Sequence, residues 1–311
     1  MAEAPSWLPP RWLPPVSPVS LADGSLFYSG NSYGIQAGYR PMQLDVRVPA
    51  SSAPVPVVVW VHGGGYAMGD RRLTPDPVRF ARLFDAVIAA GMALVSIDYR
   101  LGHEAHFPAA LHDAKAALRW IARYAQDLNI DASRVGMWGE SAGGHLSALV
   151  TATQGDASFD GEIGVRGAQA NIQALVAWYA ATDLETIVRP SVTPELEAAF
   201  GGNVPEFIRY SPEYFNLGAE HYLDPAVQRL ASPITHVTTS MPPTLLLHGE
   251  ADRMVPIQQS EVLEARLRAN DCDVEFVRIP NADHVWQGID QEQLDSIIDR
   301  SIAFLVQHLD S

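Results

Sequence analysis

The chain has 311 residues, of which 47% are hydrophobic, and a formal net charge of −15. This length and apolar content predict one large α/β domain with an insertion rather than two equal domains. The acidic balance, without a basic patch, argues against a nucleic-acid binder, and no run of about 18 apolar residues occurs that would span a membrane.

Cysteine usage and the N-terminus bear on the compartment. Cys272 is the only cysteine, so an intrachain disulfide is impossible and a reducing compartment fits the composition. The N-terminus lacks the basic and apolar regions of a secretory signal, which predicts a cytoplasmic protein. A mature chain whose signal has already been removed is the alternative that the sequence leaves open.

Residues 1–40 are predicted to form a Pro-rich arm that precedes the main domain. The sequence Trp-Leu-Pro-Pro occurs twice there, from Trp7 and again from Trp12. Such proline density favours polyproline II and is incompatible with a helix. We expect the arm to pack its tryptophans on its own domain, with a partner-binding motif as the less favoured alternative.

Strand and helix patterns alternate along residues 41–311, which are predicted to form one α/β domain. Continuous apolar runs such as 56–61 suit strands that are buried on both faces of a sheet. The alternation predicts a mostly parallel central sheet with helices on both faces, and reactive groups at the carboxyl ends of its strands. The predicted strands are 26–33, 42–48, 56–61, 93–97, 135–138, 174–179, 244–247 and 274–279, and the predicted helices lie near 76–90, after 108, at 144–150 and at 292–309.

One long interval interrupts this alternation before the strand at 244–247. We predict a helical, cap-like insertion over 184–231, because long insertions at this edge of a sheet often cover active sites. An ordinary helical excursion, whose aromatic side chains pack on the domain, is an equally weighted alternative. The aromatic residues of the interval are Phe200, Phe207, Tyr210, Tyr214, Phe215 and Tyr222.

The most informative motif is Gly139-Glu140-Ser141-Ala142-Gly143, which lies between a predicted strand and a predicted helix. A serine on such a tight turn has its hydroxyl exposed, and the flanking glycines leave space for the neighbouring elements. The motif alone also fits a glycine-rich turn without chemistry. It predicts a nucleophile only together with a base, an acid and donors for an oxyanion.

Candidates for these three groups follow other predicted strands. The run 62–66 reads His-Gly-Gly-Gly-Tyr, and its glycines allow main-chain N–H groups to face a substrate. Asp252 is the predicted acid, with Glu250 and Asp283 as rivals. The predicted base is His284, because the loop after the last strand allows a histidine to reach the serine.

The remaining histidines near these loops are predicted to be structural. His62 and His248 are expected to brace the loops, and His145, one turn into the helix after Ser141, is expected to pack. No group of His, Cys and carboxylate residues has metal-ligand spacing, and no dinucleotide-binding or phosphate-binding glycine motif occurs. We therefore expect neither a metal nor a cofactor.

The chain resembles an α/β-hydrolase. The order Ser141, Asp252, His284 is that of the α/β-hydrolase fold and differs from the orders in chymotrypsin and subtilisin. The motifs resemble the esterase and lipase branch that includes hormone-sensitive-lipase-like carboxylesterases and bacterial feruloyl-esterase-like proteins, and the resemblance runs from about residue 44 to the C-terminus. The matching segments are His62-Gly63-Gly64-Gly65 with Gly69, Asp98-Tyr99-Arg100, Gly139 to Gly144, His248 to Pro256 and Asp283-His284, and Ala231-Ser232-Pro233-Ile234 resembles the feruloyl-esterase-like group more than the lipases.

The resemblance implies hydrolysis of carboxylic esters through an acyl-enzyme intermediate, and small or medium esters are the expected substrates because the insertion is expected to close the pocket. It implies that the oxyanion donors are the N–H groups of Gly64, Gly65 and Ala142. An arylformamidase or another amidase with the same catalytic residues is the first alternative, because the group also contains arylformamidases. A non-catalytic ligand-binding protein is the second alternative, and His284 argues against it because such relatives have lost the catalytic histidine.

Residues expected to contact the substrate lie around the motifs and in the insertion, whose aromatic side chains suit an apolar pocket wall. The expected partner is a small-molecule ester, and the sequence carries no signal for an oligomeric state. The candidate substrate-binding residues are Tyr66, Glu140, Phe207, Tyr210, Tyr214, Phe215 and Trp286.

Overall fold

The computed structural model describes residues 10–75, 78, 80–187, 198, 201–202 and 212–309. Its central element is a single sheet of nine strands within these residues. The strands are β1 Val19–Ser20, β2 Leu26–Gly34, β3 Met42–Val48, β4 Val55–Val61, β5 Ala93–Ile97, β6 Ile130–Glu140, β7 Ile172–Trp178, β8 Thr244–Gly249 and β9 Val274–Ile279.

The order of the strands across the sheet is β1-β2-β3-β5-β4-β6-β7-β8-β9. The pairs from β5 through β9 are parallel, whereas the pairs β1-β2, β2-β3 and β3-β5 are antiparallel. The predicted mostly parallel sheet is therefore confirmed. Because β4, β6, β7, β8 and β9 run in one direction, the loops that follow them leave the sheet at the same edge.

Helices cover both faces of the sheet, and the side chains of β4 show why. Val57 and Val59 pack into one core, while Val58 and Trp60 pack into the other. A strand buried on both faces needs apolar residues at every position, which is the pattern of this run. The helices are α2 Ala109–Arg123, α3 Ala142–Ala152 and α6 Gln258–Arg268 on the first face, and α1 Phe80–Ala89 and α7 Gln291–Leu309 on the second. No helix in the described ranges combines the length and the apolarity needed to cross a bilayer.

Element bounds differ from the prediction where the apolar signal is weak. The strands predicted at 42–48, 93–97 and 274–279 have those bounds, but β6 begins at Ile130, earlier than the predicted 135. Helix α6 was not predicted, because only four of its residues are buried and much of its sequence is charged or polar.

The N-terminal segment is joined closely to the domain. Strands β1 and β2 lie before residue 41, so the sheet begins inside the predicted arm. Trp12 Nε1 donates to Tyr124 Oη at 3.2 Å, and the carbonyl of Leu13 accepts from Trp120 Nε1 at 2.8 Å. The segment therefore packs Trp12 on helix α2, while Trp7 lies outside the described residues.

The interval from 184 to 231 contains two short helices in its described part. They are α4 Pro212–Leu217 and α5 Pro225–Ala231. Leu184, Leu217 and Ala231 form a small apolar cluster of their own with Val255. Phe200, Phe207 and Tyr210 lie outside the described residues.

Candidate active site

Three side chains from the carboxyl edge of the sheet form a hydrogen-bonded line. Asp252 Oδ2 lies 2.8 Å from His284 Nδ1, and His284 Nε2 lies 3.0 Å from Ser141 Oγ. The three residues follow β6, β8 and β9, although 143 positions separate Ser141 from His284. In this geometry a serine proton can pass to an imidazole whose other nitrogen is held by a carboxylate.

Ser141 is held in a strained main-chain conformation between β6 and α3. Its φ is 53° and its ψ is −120°, outside the regions that residues other than glycine usually adopt. The Ser141 N–H donates to the carbonyl of Trp178 at 3.0 Å, and its carbonyl accepts from His145 N at 2.9 Å. A Cβ at Gly143 would lie 2.1 Å from the carbonyl oxygen of Val61, so the turn requires glycine there.

Asp252 is ionised and fixed by its own turn. Its side chain is fully buried, and Oδ1 accepts from the N–H groups of Met254 and Val255 at 2.8 Å each. Burial by itself raises the pKa of Asp252, but hydrogen bonds from His248 and His284 outweigh it and hold that pKa well below its usual range. The carboxylate therefore stays charged opposite the imidazole.

The two rival carboxylates are placed differently. Glu250 is exposed to solvent. Asp283 accepts from the N–H groups of Arg253 and His284 at 3.0 and 2.8 Å, and so closes the turn that carries the histidine. Of the three candidates, the geometry favours Asp252 as the partner of the imidazole.

The turn at His284 is strained and anchored in the core. Val285 and Trp286 both have positive φ, 54° and 61°, although neither is glycine. Trp286 is 1% exposed and anchors the turn, whereas the prediction placed it among the residues that contact the substrate. Tyr179, a residue missed in the sequence, lies with its ring centroid 4.7 Å from the rings of both His284 and Trp286. Its position directly after β7, at the reactive edge, is the signal that could have identified it.

The loop after β4 carries the two glycines that are predicted to supply main-chain donors. Gly64 and Gly65 have φ of 97° and 62°, a conformation that favours glycine, and they follow the carboxyl end of β4. Within the described part of the chain, neither N–H donates to a protein acceptor. Ala142 begins α3, so its N–H has no acceptor inside the helix. Among the residues that the structure describes, the three N–H groups predicted as oxyanion donors therefore have no protein acceptor.

Glu140 supports this loop from beneath. Its Oε1 accepts from the N–H of Gly63 at 2.7 Å and fills the space that a Cβ at Gly63 would need. Burial raises the pKa of Glu140, although the charge of His284 opposes the rise. The side chain is 3% exposed and lies under the loop, whereas the prediction placed it on the substrate side.

The other predicted substrate-binding residues fall into three groups. Tyr66 is 4% exposed and directs its hydroxyl to His145 Nδ1. Tyr214 and Phe215 are half-buried on α4, which lies against the loop because Pro212 Cγ is 3.4 Å from the Cβ position of Gly65. Phe207 and Tyr210 lie outside the described residues.

His62 and His248 both brace the loops beside them. His62 Nδ1 donates to the carbonyl of Gly63 at 2.8 Å, and its ring stacks on Tyr99 at 4.4 Å between centroids. His248 Nε2 donates to the carbonyl of Val255 at 2.9 Å, while its Nδ1 lies 2.8 Å from Ser260 Oγ. Both rings are fully buried.

The burial of His62 predicts a loss of stability in acid. Burial lowers its pKa from 6.5 to about 4, so between these pH values the unfolded chain takes up a proton that the folded chain refuses. The free energy of unfolding should therefore decrease as pH falls through this window, by up to about 3 kcal/mol from this group. Urea unfolding from pH 7 to pH 4 checks this, with His62→Asn expected to show a shallower pH dependence. Equal pH dependence of the two proteins would contradict it.

Two solved structures with the same architecture are esterases by title. A truncated carbohydrate esterase from gut microbiota superposes with a TM-score of 0.71 and 24% identity, over 90% of this chain and 96% of that one. An esterase from Thermogutta terrifontis, solved with propionate, gives a TM-score of 0.67 and 21% identity, over 89% and 93% of the two chains. These likenesses confirm the α/β-hydrolase fold.

Curated relatives are also esterases by name. Esterase LipC of Mycobacterium tuberculosis is 30% identical over 81% of this chain, and esterase LipQ of the same organism is 29% identical over 80%. The matches cover 59% and 55% of those two proteins, so this chain spans little more than half of their length. The ethyl acetate hydrolase of Pseudomonas putida is 27% identical over 87% of this chain and 77% of its own.

A family model gives the assignment. The BD-FAE model matches residues 44–267, a range that begins in β3 and ends in α6. It includes the loop after β4, the turn at Ser141 and the turn at Asp252. The match covers most of the chain and agrees with the resemblance seen in the sequence, so the chain belongs to the BD-FAE family.

Proposed function

We propose that this chain is a carboxylic ester hydrolase in which Ser141 is the nucleophile, His284 the general base and acid, and Asp252 the orienting carboxylate. The observation that carries the proposal is the line of hydrogen bonds, 2.8 and 3.0 Å long, that joins these three side chains. In this proposal the N–H groups of Gly64, Gly65 and Ala142 are the oxyanion donors that ester hydrolysis needs. The esterase names of LipC and LipQ support the same reaction class.

The first half of the reaction forms the acyl-enzyme. Ser141 Oγ attacks the ester carbonyl carbon while His284 Nε2 takes the hydroxyl proton, and Asp252 stabilises the imidazolium. The carbonyl oxygen becomes an oxyanion, and each main-chain donor to it contributes about 3 kcal/mol in the transition state. The intermediate then expels the alcohol, which takes the proton from His284, and leaves the acyl group on the serine.

The second half regenerates the enzyme. His284 Nε2 removes a proton from a water molecule, whose oxygen attacks the acyl carbonyl carbon. The same N–H groups stabilise the second oxyanion. When it collapses, the carboxylic acid leaves and the proton returns from His284 to Ser141 Oγ. The cycle consumes one ester and one water and requires no other reactant.

The preferred substrates are small or medium esters. Helix α4 lies against the loop of oxyanion donors, with Pro212 next to Gly65, and its half-buried Tyr214 and Phe215 supply aromatic surface there. In this proposal, the described part of the insertion around α4 forms a wall of the substrate site. The name of the Pseudomonas putida relative, ethyl acetate hydrolase, supports short acyl and alcohol groups.

A labelling experiment tests the assignment of Ser141. A fluorophosphonate should inactivate the enzyme, because an activated serine attacks phosphorus as it attacks a carbonyl. The loss of p-nitrophenyl acetate hydrolysis should be proportional to labelling and complete at one adduct per chain. Mass spectrometry should find the adduct on Ser141, and Ser141→Ala should remain unlabelled. An adduct on another serine with the same loss of activity would overturn the assignment.

A panel of substrates distinguishes an esterase from an arylformamidase. Short-chain p-nitrophenyl esters, a feruloyl ester and N-formylkynurenine should be compared by kcat/KM on the same preparation. We expect the short esters to rank first. A ranking led by the N-formyl amide would replace the esterase by an arylformamidase with the same residues.

A further inference from the structure

The proposed oxyanion donors come from two separate elements. Gly64 and Gly65 lie in the loop after β4, whereas Ala142 begins helix α3. Donors stabilise an oxyanion only if all of them reach it at hydrogen-bond distance, and a displacement of about 1 Å can cost about 100-fold in rate. The distance between the loop after β4 and helix α3 must therefore be kept fixed.

Tyr66 ends the loop in a conformation that needs support. Its φ is 60°, the third positive value in a row after Gly64 and Gly65. For a residue with a side chain this conformation costs about 1–3 kcal/mol and persists only where the surroundings hold it. The carbonyl of Tyr66 accepts from the N–H of Gly102 at 2.7 Å, which holds the main chain from one side.

The Tyr66 hydroxyl makes a short hydrogen bond to helix α3. Its oxygen lies 2.6 Å from His145 Nδ1, and the two rings meet edge to face with centroids 5.7 Å apart. Both side chains are buried, at 4% and 2% exposed. Burial, with a smaller effect from Glu213, raises the pKa of Tyr66 well above its usual range, so the hydroxyl keeps its proton and donates.

The tautomer of His145 is set from its other side. His145 Nε2 lies 2.8 Å from the main-chain oxygen of Ala231, which can only accept. Nε2 therefore carries the ring proton, and Nδ1 is left as the acceptor for the Tyr66 hydroxyl. Ala231 ends helix α5, so this bond holds the C-terminal end of α5 against the histidine.

We propose that Tyr66 and His145 are a positioning pair that sets the distance between the loop donors and Ala142. The pair connects the two elements directly, because Tyr66 follows Gly65 and His145 lies one turn after Ser141 on the helix that Ala142 begins. The inference rests on the proposed function, since it assigns the pair to the oxyanion hole of that reaction.

Removing the hydroxyl alone tests the pair. Tyr66→Phe keeps the ring and should lower kcat for p-nitrophenyl acetate by about 10- to 100-fold, with KM changed by less than about threefold. The matched control is Tyr33→Phe, which deletes the hydroxyl of a fully buried tyrosine that donates to the carbonyl of Asp98 at 2.5 Å. The control should lose stability to a similar degree and keep kcat. Equal kcat values for Tyr66→Phe and wild type would overturn the proposal.

The histidine offers a rescue experiment. His145→Asn places an amide oxygen near the position of Nδ1 and should retain most of kcat, whereas His145→Leu removes the acceptor and should match Tyr66→Phe. Because the two residues act as one unit, the double variant Tyr66→Phe/His145→Leu should be no slower than either single variant. Independent effects that multiply in the double variant would contradict a pair.

Crystal structures give a readout that does not depend on turnover. In the Tyr66→Phe variant, the distance between Gly65 N and Ala142 N should differ from that in wild type. The main chain at position 66 should also leave the left-handed conformation. An unchanged loop would overturn the proposal even if the wild-type protein hydrolysed no ester. Absence of wild-type hydrolysis would count against the proposed function alone.

Discussion

Replacing Ser141 by alanine is expected to lower kcat for ester hydrolysis by about 10⁶-fold. The hydroxyl is the only part of Ser141 that the replacement removes, and in the proposed mechanism it forms the covalent bond to the substrate. His284 Nε2, 3.0 Å from Ser141 Oγ, then has no proton to take from a nucleophile. The main-chain strain at φ 53° remains with alanine, so the fold and the melting temperature should change little.

The control for this variant is a serine on α3, the helix that follows Ser141. Ser147 is fully buried, and its Oγ has no hydrogen-bond partner among the described residues. Ser147→Ala should therefore keep kcat within about threefold of wild type, because a buried hydroxyl outside the site contributes nothing to the reaction. Steady-state rates with p-nitrophenyl acetate compare the three proteins. A Ser141→Ala protein that retains more than a few per cent of the wild-type rate would refute its role.

The second large effect is expected for Asp252→Asn, which should lower kcat by about 10⁴-fold. Asp252 accepts from His284 Nδ1 at 2.8 Å and keeps the proton of the neutral ring on that nitrogen. An amide lacks the charge that stabilises the imidazolium, and its NH₂ group can favour the tautomer in which Nε2 cannot accept a proton. The asparagine Oδ1 can still accept from Met254 and Val255, so the turn should survive.

A neighbouring carboxylate provides the comparison for Asp252. Glu250 lies on the same loop but is exposed to solvent, so Glu250→Gln should leave kcat within about twofold of wild type. Both variants need a melting temperature near that of wild type for the rates to be compared. If Glu250→Gln were the slower enzyme, the acid of the proposed mechanism would have to be reassigned.

Local sequence determined much of the fold. Strand β4 could be recognised because burial on both faces demands an apolar residue at each of its positions. The turn at Ser141 could be recognised because Gly143 packs against the main chain of β4, where a Cβ would lie 2.1 Å from an oxygen. Such requirements act over a few residues and leave a readable pattern. Helix α6 left none, because only four of its 11 residues are buried.

The pairing of side chains across the sheet was decided by the tertiary structure alone. Loop residues such as Asp252, Glu250 and Asp283 lie near the same edge, and only the three-dimensional path of each loop brings one of them to His284. For the same reason Trp286 became an anchor of the histidine turn instead of a pocket wall. Tyr66 and His145 are 79 residues apart, and their hydrogen bond depends on which strands are neighbours. A sequence pattern reflects which positions of one element are buried. Contacts between side chains of different elements follow from the order of the strands in the sheet.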